Sequence, residues 1–213
     1  KVYDSRNAKR PLNGANSLLS IGFVGRVVPI KDVKTFIRAC KVVSLRIPNI
    51  KIYIVGPTDE NANYYQECLE LCSFMGIEDR IDFVGQADSM KYYSFLDLVV
   101  LTSVSEAQPL VVLEANCAGI PVVASDVGAC RELLEGNTED DKALGVSGIV
   151  TRVVDPADTA NGIIAILTND ELRKKMSLAG HKRVETFYRE SDLNDKYLSV
   201  YKEFMKSEDL GDL

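Results

Sequence analysis

Short apolar runs and helix-like stretches alternate along most of this chain. Continuous apolar runs predict strands over 17–24, 51–55, 80–84, 98–101, 121–124 and 148–150. The stretches between them predict helices over 32–45, 63–74, 90–95 and 110–118. The strand runs are rich in Val, Ile and Leu without strict alternation, as expected of strands covered on both faces. Strands alternating with helices of this length predict an α/β fold built on a single Rossmann-like, doubly wound parallel sheet. Residues 1–17 are polar, carry the turn signal Asn13-Gly14, and read as a linker or terminus. Residues 18–170 form the expected sheet domain, and 171–213 a helical C-terminal extension. Within that extension Leu193, Tyr197, Val200, Tyr201 and Phe204 make the stripe of an amphipathic helix over 191–204. A polar loop is expected over 136–145.

Composition narrows the classes of function. The 213 residues suffice for one substantial core, and 46% hydrophobic with 26% charged residues is an ordinary soluble balance. A net charge of -6 argues against a broad electrostatic grip on nucleic acid or anionic lipid. No apolar run reaches the roughly 20 residues that span a bilayer. The opening residues show no signal-peptide pattern, and a start at Lys1 rather than Met points to a fragment or a processed product. Five scattered cysteines, Cys40, Cys68, Cys72, Cys117 and Cys130, suggest reduced thiols and a cytoplasmic location. Cys68 and Cys72 would share a helix face, but nothing completes a tetrahedral metal site around them, so core packing is expected.

In a doubly wound sheet, ligands sit beyond the C-terminal ends of the strands. After the first strand comes Gly25-Arg26-Val27-Val28-Pro29-Ile30-Lys31-Asp32. Here a glycine turn and two cations flank a helix start, which already favours anions. After the strand 98–101 comes Thr102-Ser103-Val104-Ser105-Glu106-Ala107-Gln108-Pro109-Leu110-Val111, with Glu114 further on. Pro109 suits the first helical position, leaving the N–H groups of Leu110 and Val111 to face a phosphate. Glu106 before the helix and Glu114 inside it would reach hydroxyls on either side of that anion. Hexose, diphosphate and ribose in a row is the layout of a sugar nucleotide.

Glu106 and Glu114 make an E-x7-E pattern, and the ordered set around it covers most of 18–170. That set is Val24-Gly25-Arg26, Ile54-Val55-Gly56-Pro57, Asp82-Phe83-Val84-Gly85, Asp97-Leu98-Val99-Val100-Leu101 and Ala118-Gly119-Ile120-Pro121-Val122-Val123-Ala124. The set resembles the retaining glycosyltransferases of GT-B architecture, glycosyltransferase family 4, in their C-terminal, nucleotide-sugar-binding half. Ser105-Glu106-Ala107-Gln108-Pro109-Leu110 replaces the commoner glycine-rich form. With Asp126-Val127-Gly128-Ala129-Cys130-Arg131-Glu132-Leu133 and Lys142-Ala143-Leu144-Gly145, it is most similar to the PelF group, soluble transferases of Pel exopolysaccharide synthesis.

The resemblance implies catalytic roles for Arg26 and Lys31 on the diphosphate and for Glu106 on the transferred sugar. It further implies a donor site lined by Gly25, Gln108, Pro109 and the amides of Leu110 and Val111. Glu114 would hold the ribose, and Val84 and Gly85 would lie near the base. The implied donor is a UDP-sugar, UDP-glucose in the first place, with no cofactor and no metal. The glycan acceptor would be held by an N-terminal domain outside this chain, to which the helix 191–204 would cross. A membrane-associated polysaccharide-synthesis complex is an implied partner.

Other classes compete. An epimerase or phosphorylase of the same architecture would also bind a nucleotide or phosphate, but nothing suggests the lysine-bound pyridoxal phosphate that phosphorylases need. A nucleotide-binding module without catalysis is the third reading. A dehydrogenase is disfavoured, since Gly25 stands without a G-x-G-x-x-G. The sole histidine, His181, is expected at the surface, and the acidic run 135–141 as a solvated loop rather than a Ca²⁺ site. The pairs Tyr64-Tyr65 and Tyr92-Tyr93 are expected to pack at helical positions rather than to stack on a base.

Overall fold

A computed structural model describes residues 18–189 together with Ser191 and Leu198. The predicted strands appear as β1 (Leu19–Val24), β2 (Ile50–Val55), β3 (Ile81–Gly85), β4 (Leu98–Leu101), β5 (Val122–Ser125) and β6 (Gly148–Thr151). The helices are α1 (Val33–Arg46), α2 (Ala62–Met75), α3 (Ser89–Tyr93), α4 (Leu110–Cys117), α5 (Cys130–Glu135), α6 (Glu139–Lys142), α7 (Pro156–Leu167) and α8 (Asp170–Phe187). The strands form one sheet in the order β3-β2-β1-β4-β5-β6. Every pairing is parallel, with one register shift between Ile54 and Val55 against β3. This is the doubly wound order of a dinucleotide-binding sheet, and the order in which strands are added reverses between β1 and β4.

The strands are apolar throughout because both faces are covered. Successive side chains point to opposite faces. Leu98 and Val100 join Ile21, Phe23 and Val123 in a core with α1, α2 and α7. Val99 and Leu101 join Val122 and Ala124 in a second core with α3, α4 and α5. Cys40, Cys68 and Cys72 are buried in the first core and Cys130 in the second, while Cys117 is half-buried; all are free thiols. Tyr64 and Tyr93 are buried too. No helix among the described residues is long and apolar enough to cross a membrane.

The segment 136–145, expected as a polar loop, differs from that expectation in that Glu139–Lys142 forms a turn of helix capped by the Thr138 side chain. Just before it, Cys130–Glu135 is helical with Leu133 and Leu134 buried, an element the sequence pattern did not predict. Asp141, inside the acidic run, is buried rather than solvated. It pairs with the Arg183 guanidinium, itself fully buried on α8. The remaining Arg183 donors go to the carbonyl oxygens of Leu134 (2.9 Å), Asp141 (3.1 Å) and Gly145 (2.7 Å) and to Ser147 Oγ (3.3 Å). One arginine thus ties α8 to the segment after α5.

His181 is likewise half-buried instead of lying on the surface. Its Nδ1 is 2.8 Å from the Cys117 carbonyl oxygen. The cause is the preceding glycine: a Cβ on Gly180 would lie 2.5 Å from Asn116 Oδ1, so only glycine lets α8 approach α4 this closely. The terminal helix expected over 191–204 lies outside the described residues, save Ser191 and Leu198.

Candidate functional site

The C-terminal ends of β1 and β4 are neighbours at the point where strand order reverses, and the two loops leaving them are stitched together. Val104 N donates to the Ile30 carbonyl at 2.9 Å. Thr102 Oγ donates to the carbonyl oxygens of Lys31 (3.2 Å) and Asp32 (2.9 Å). On its other side the β1 loop is held by Gly25 N and Val27 N, each 2.9 Å from the carbonyls of Val55 and Pro57. That contact requires glycine, because a Cβ on Gly56 would sit 2.1 Å from the Gly25 carbonyl oxygen. A single 3-10 turn, Pro29–Lys31, then delivers Asp32 as N-cap of α1, its side chain accepting from Thr35 N.

These contacts bring Lys31 and Glu106 together. Lys31 Nζ forms an ion pair with Glu106 Oε1, and Ser103 Oγ donates to the same oxygen at 2.6 Å. The side chains are only 20% and 13% exposed, so solvent screens this pair less than an ordinary surface bridge. The loop carrying Glu106 is braced from β5: Ala129 N donates to the Ala107 carbonyl at 2.9 Å. Gly128, at φ +50, lies so close that a Cβ would be 2.3 Å from the Glu106 carbonyl oxygen.

Arg26 is not drawn into this pair. It is exposed and bridges to Glu60, in the loop after β2, at 2.8 Å. Pro109 is the N-cap of α4, with extended backbone, rather than its first helical residue as expected. The shift leaves the expected donors in place, since the amides of Leu110 and Val111 open the helix without an intrahelical acceptor. Val112 N, by contrast, is taken by the Pro109 carbonyl at 3.1 Å. Pro109 is buried, whereas Gln108 and Leu110 are exposed at the helix mouth.

Glu114 lies further along α4, exposed, with Oε2 accepting from Tyr93 OH at 2.9 Å. Val84 and Gly85 close the edge strand β3 on the same side of the sheet, half-buried, with Gly85 at φ +74 and its carbonyl accepting from Gly56 N. Glu106 therefore precedes the open amide end of α4 with the lysine beside it, and Glu114 lies about one turn inside the helix. Such an end attracts an anion, and ionised carboxylates accept hydrogen bonds from hydroxyls. Among the described residues no group of three or more His, Cys, Asp or Glu side chains could hold a metal ion.

Ser103, Gly128 and Tyr93 were not among the site residues expected from sequence. Ser103 carried a weak signal, a hydroxyl three residues before a loop glutamate. Gly128 stood only as part of the segment 126–133, and Tyr93 only in a pair expected to pack, because the partners that give them a role are brought in by tertiary contact.

The family model for glycosyl transferases group 1 matches residues 5–183. A D-inositol 3-phosphate glycosyltransferase of Nocardia farcinica is 29% identical over 164 residues, covering 74% of this chain and 35% of that protein. An uncharacterized glycosyltransferase of Methanocaldococcus jannaschii is 30% identical over 199 residues, covering 92% of this chain and 48% of its own length. The chain thus spans less than half the length of these curated relatives. Among solved structures, HepE from Anabaena in complex with UDP and glucose superposes with a TM-score of 0.78 at 22% identity, over 89% of this chain and 49% of that one. The C-terminal domain of the group 1 transferase LpcC from Francisella tularensis superposes at 0.68 with 24% identity, over 81% of this chain and 87% of that domain. A parallel six-stranded sheet of this order, with the family's sequence pattern running through it, places the chain in the glycosyl transferases group 1, as a C-terminal unit of GT-B type.

Proposed function

We propose that the chain is the donor-binding half of a retaining hexosyltransferase that takes a UDP-sugar, UDP-glucose in the first place. The observation that carries this reading is the Lys31–Glu106 pair beside the open amide end of α4 at the switch point of the sheet. A cation and helix amides for phosphate, adjoining a carboxylate for hydroxyls, fit a glycosyl diphosphate better than a simple nucleotide. Named complexes of HepE with UDP, glucose and UDP-glucose support the same donor class.

In this reading Lys31, with Arg26 from the same loop, holds the diphosphate and stabilises the charge that grows on it as the sugar leaves. The Leu110 and Val111 amides add two donors to the phosphate, within a mouth formed by Gly25, Gln108 and Pro109. Glu106 keeps Oε1 on Lys31 and Ser103 and offers Oε2 to hexose hydroxyls. Glu114 takes the ribose, and Val84 and Gly85 border the base. Transfer proceeds on one face of the sugar, with the departing phosphate assisting deprotonation of the acceptor, and calls for no cofactor. The PelF-like segments at 105–110, 126–133 and 142–145 favour exopolysaccharide synthesis, in the cytoplasm and beside a membrane complex.

The share of its relatives that this chain spans favours a companion reading. Alone, the chain binds the nucleotide without transferring sugar, and the other half supplies the acceptor site. Calorimetric titration with UDP, GDP and ADP tests the donor reading, with UDP expected to bind tightest. No UDP binding at millimolar concentration would overturn it. Sugar transfer by this chain alone would overturn the companion reading.

A further inference from the structure

Glu114 is exposed, so its carboxylate would turn freely unless something fixed it. Tyr93 does so, with its phenol donating to Oε2 at 2.9 Å. The tyrosine is only 2% exposed. Its helix, α3, is anchored by an aromatic triad of Tyr53, Tyr92 and Phe95, with ring centroids 5.8, 5.3 and 5.5 Å apart. Burial, and then the charge of Glu114, raise the Tyr93 pKa, so the phenol stays a donor across the neutral range. A phenol has a single proton to give. Given to Oε2, it ties that oxygen to α3 and leaves Oε1 to accept from a ligand.

We propose that Tyr93 is a positioning residue that fixes Glu114 so that the site distinguishes a ribonucleoside diphosphate from its 2′-deoxy counterpart; this rests on the donor-site reading of Glu114. A fixed acceptor engages a diol without losing side-chain freedom on binding, and it rejects a ligand lacking the hydroxyl it was built to meet. A freely turning carboxylate would solvate itself in either complex and discriminate weakly.

The test is titration of UDP and 2′-deoxyuridine 5′-diphosphate against the chain and its Tyr93→Phe and Glu114→Gln variants. The unaltered chain is expected to prefer UDP about tenfold or more, as for a hydrogen bond to a charged group. Glu114→Gln should abolish the preference. Tyr93→Phe should reduce it to within about threefold while leaving affinity for the deoxy ligand unchanged. Phenylalanine keeps the buried ring, and exposed Glu114 is rehydrated rather than stranded, so the variant should melt with the parent. If Tyr93→Phe keeps the full preference while Glu114→Gln loses it, the positioning role is wrong and the ribose assignment stands. If Tyr93→Phe weakens both ligands equally, the tyrosine is structural and the inference fails. If the unaltered chain shows no preference, or Glu114→Gln retains it, the ribose assignment and the inference fall together.

Discussion

Lys31 and Glu106 come from loops that follow different strands, yet their charged atoms meet across the switch point of the sheet. Neither loop would hold this geometry alone. The Thr102 hydroxyl on the Lys31 and Asp32 carbonyls and the Val104 amide on Ile30 join them. In the proposed reading, a phosphate entering here meets a cation held in place by Glu106, whose carboxylate has a second hydrogen bond from Ser103.

Lys31→Ala is accordingly expected to weaken UDP about ten- to a hundredfold, as for the loss of a charged hydrogen bond to phosphate, and to leave uridine affinity within about threefold. Arg26→Ala should follow the same pattern more weakly, since Arg26 is exposed and already bridged to Glu60. Parallel titrations with UDP and uridine check both. Equal losses for the two ligands would show that the cations serve the loop fold and not the diphosphate.

The two carboxylates should separate by function. Glu106→Gln is expected to cut turnover of the whole enzyme at least tenfold while leaving UDP affinity nearly intact, because UDP has no hexose to contact. Glu114→Gln should weaken UDP itself. Steady-state kinetics and titration on the same preparations decide the matter, and the reverse pattern would sink the assignment.

The strands and long helices were legible in the sequence because apolar runs of this kind fit only a sheet covered on both faces. The starts of the first two helices fall within one residue of those expected, at Val33 and Ala62, where the side chains of Asp32 and Asn61 cap them. The site loops were legible through charge and proline at strand ends. What stayed hidden was whatever depends on a distant partner. Asp141 looks like its acidic neighbours until Arg183, 42 positions on, is folded against it. Cys130–Glu135 and Glu139–Lys142 are too short to show a 3.6-residue period. Tyr93 resembled any core tyrosine, since its hydroxyl partner on α4 is 21 positions away.

Gly128 offers a way to move Glu106 without touching it. Its backbone is left-handed at φ +50, and a Cβ would lie 2.3 Å from the Glu106 carbonyl oxygen and 2.4 Å from that of Ala107. Gly128→Ala therefore has to push the loop apart. Gly76→Ala, also left-handed at φ +59 but with nothing within 4 Å, isolates the conformational cost. Both variants should lose about 1–2 kcal/mol of stability from the strained backbone. Only Gly128→Ala should also lose sugar-nucleotide turnover in the whole enzyme. Thermal melts and kinetics on the two variants test this, and unaltered turnover in Gly128→Ala would mean that the brace from β5 does not position Glu106.

Arg183 provides the sharpest stability prediction. All five guanidinium N–H groups are buried with partners, but only one goes to the Asp141 carboxylate; the others meet three backbone carbonyls and Ser147 Oγ. Asp141 in turn accepts from Asn137 N at 3.0 Å, so it caps its own segment as well. Arg183→Met strands a buried carboxylate and should cost about 3–5 kcal/mol in urea unfolding. Were the charge pair the whole effect, Arg183→Met with Asp141→Leu would recover most of that loss, because a buried ion pair often gives way to apolar groups at little net cost. Here three carbonyl oxygens would still lose their donor, each at about 1–3 kcal/mol if left dry. The double variant is therefore expected to recover less than half of the single-variant loss. Arg183→Lys should fail as well, since one ammonium cannot span acceptors arranged for a planar fork. A double variant as stable as the parent would show instead that Arg183 acts only as the counter-charge of Asp141.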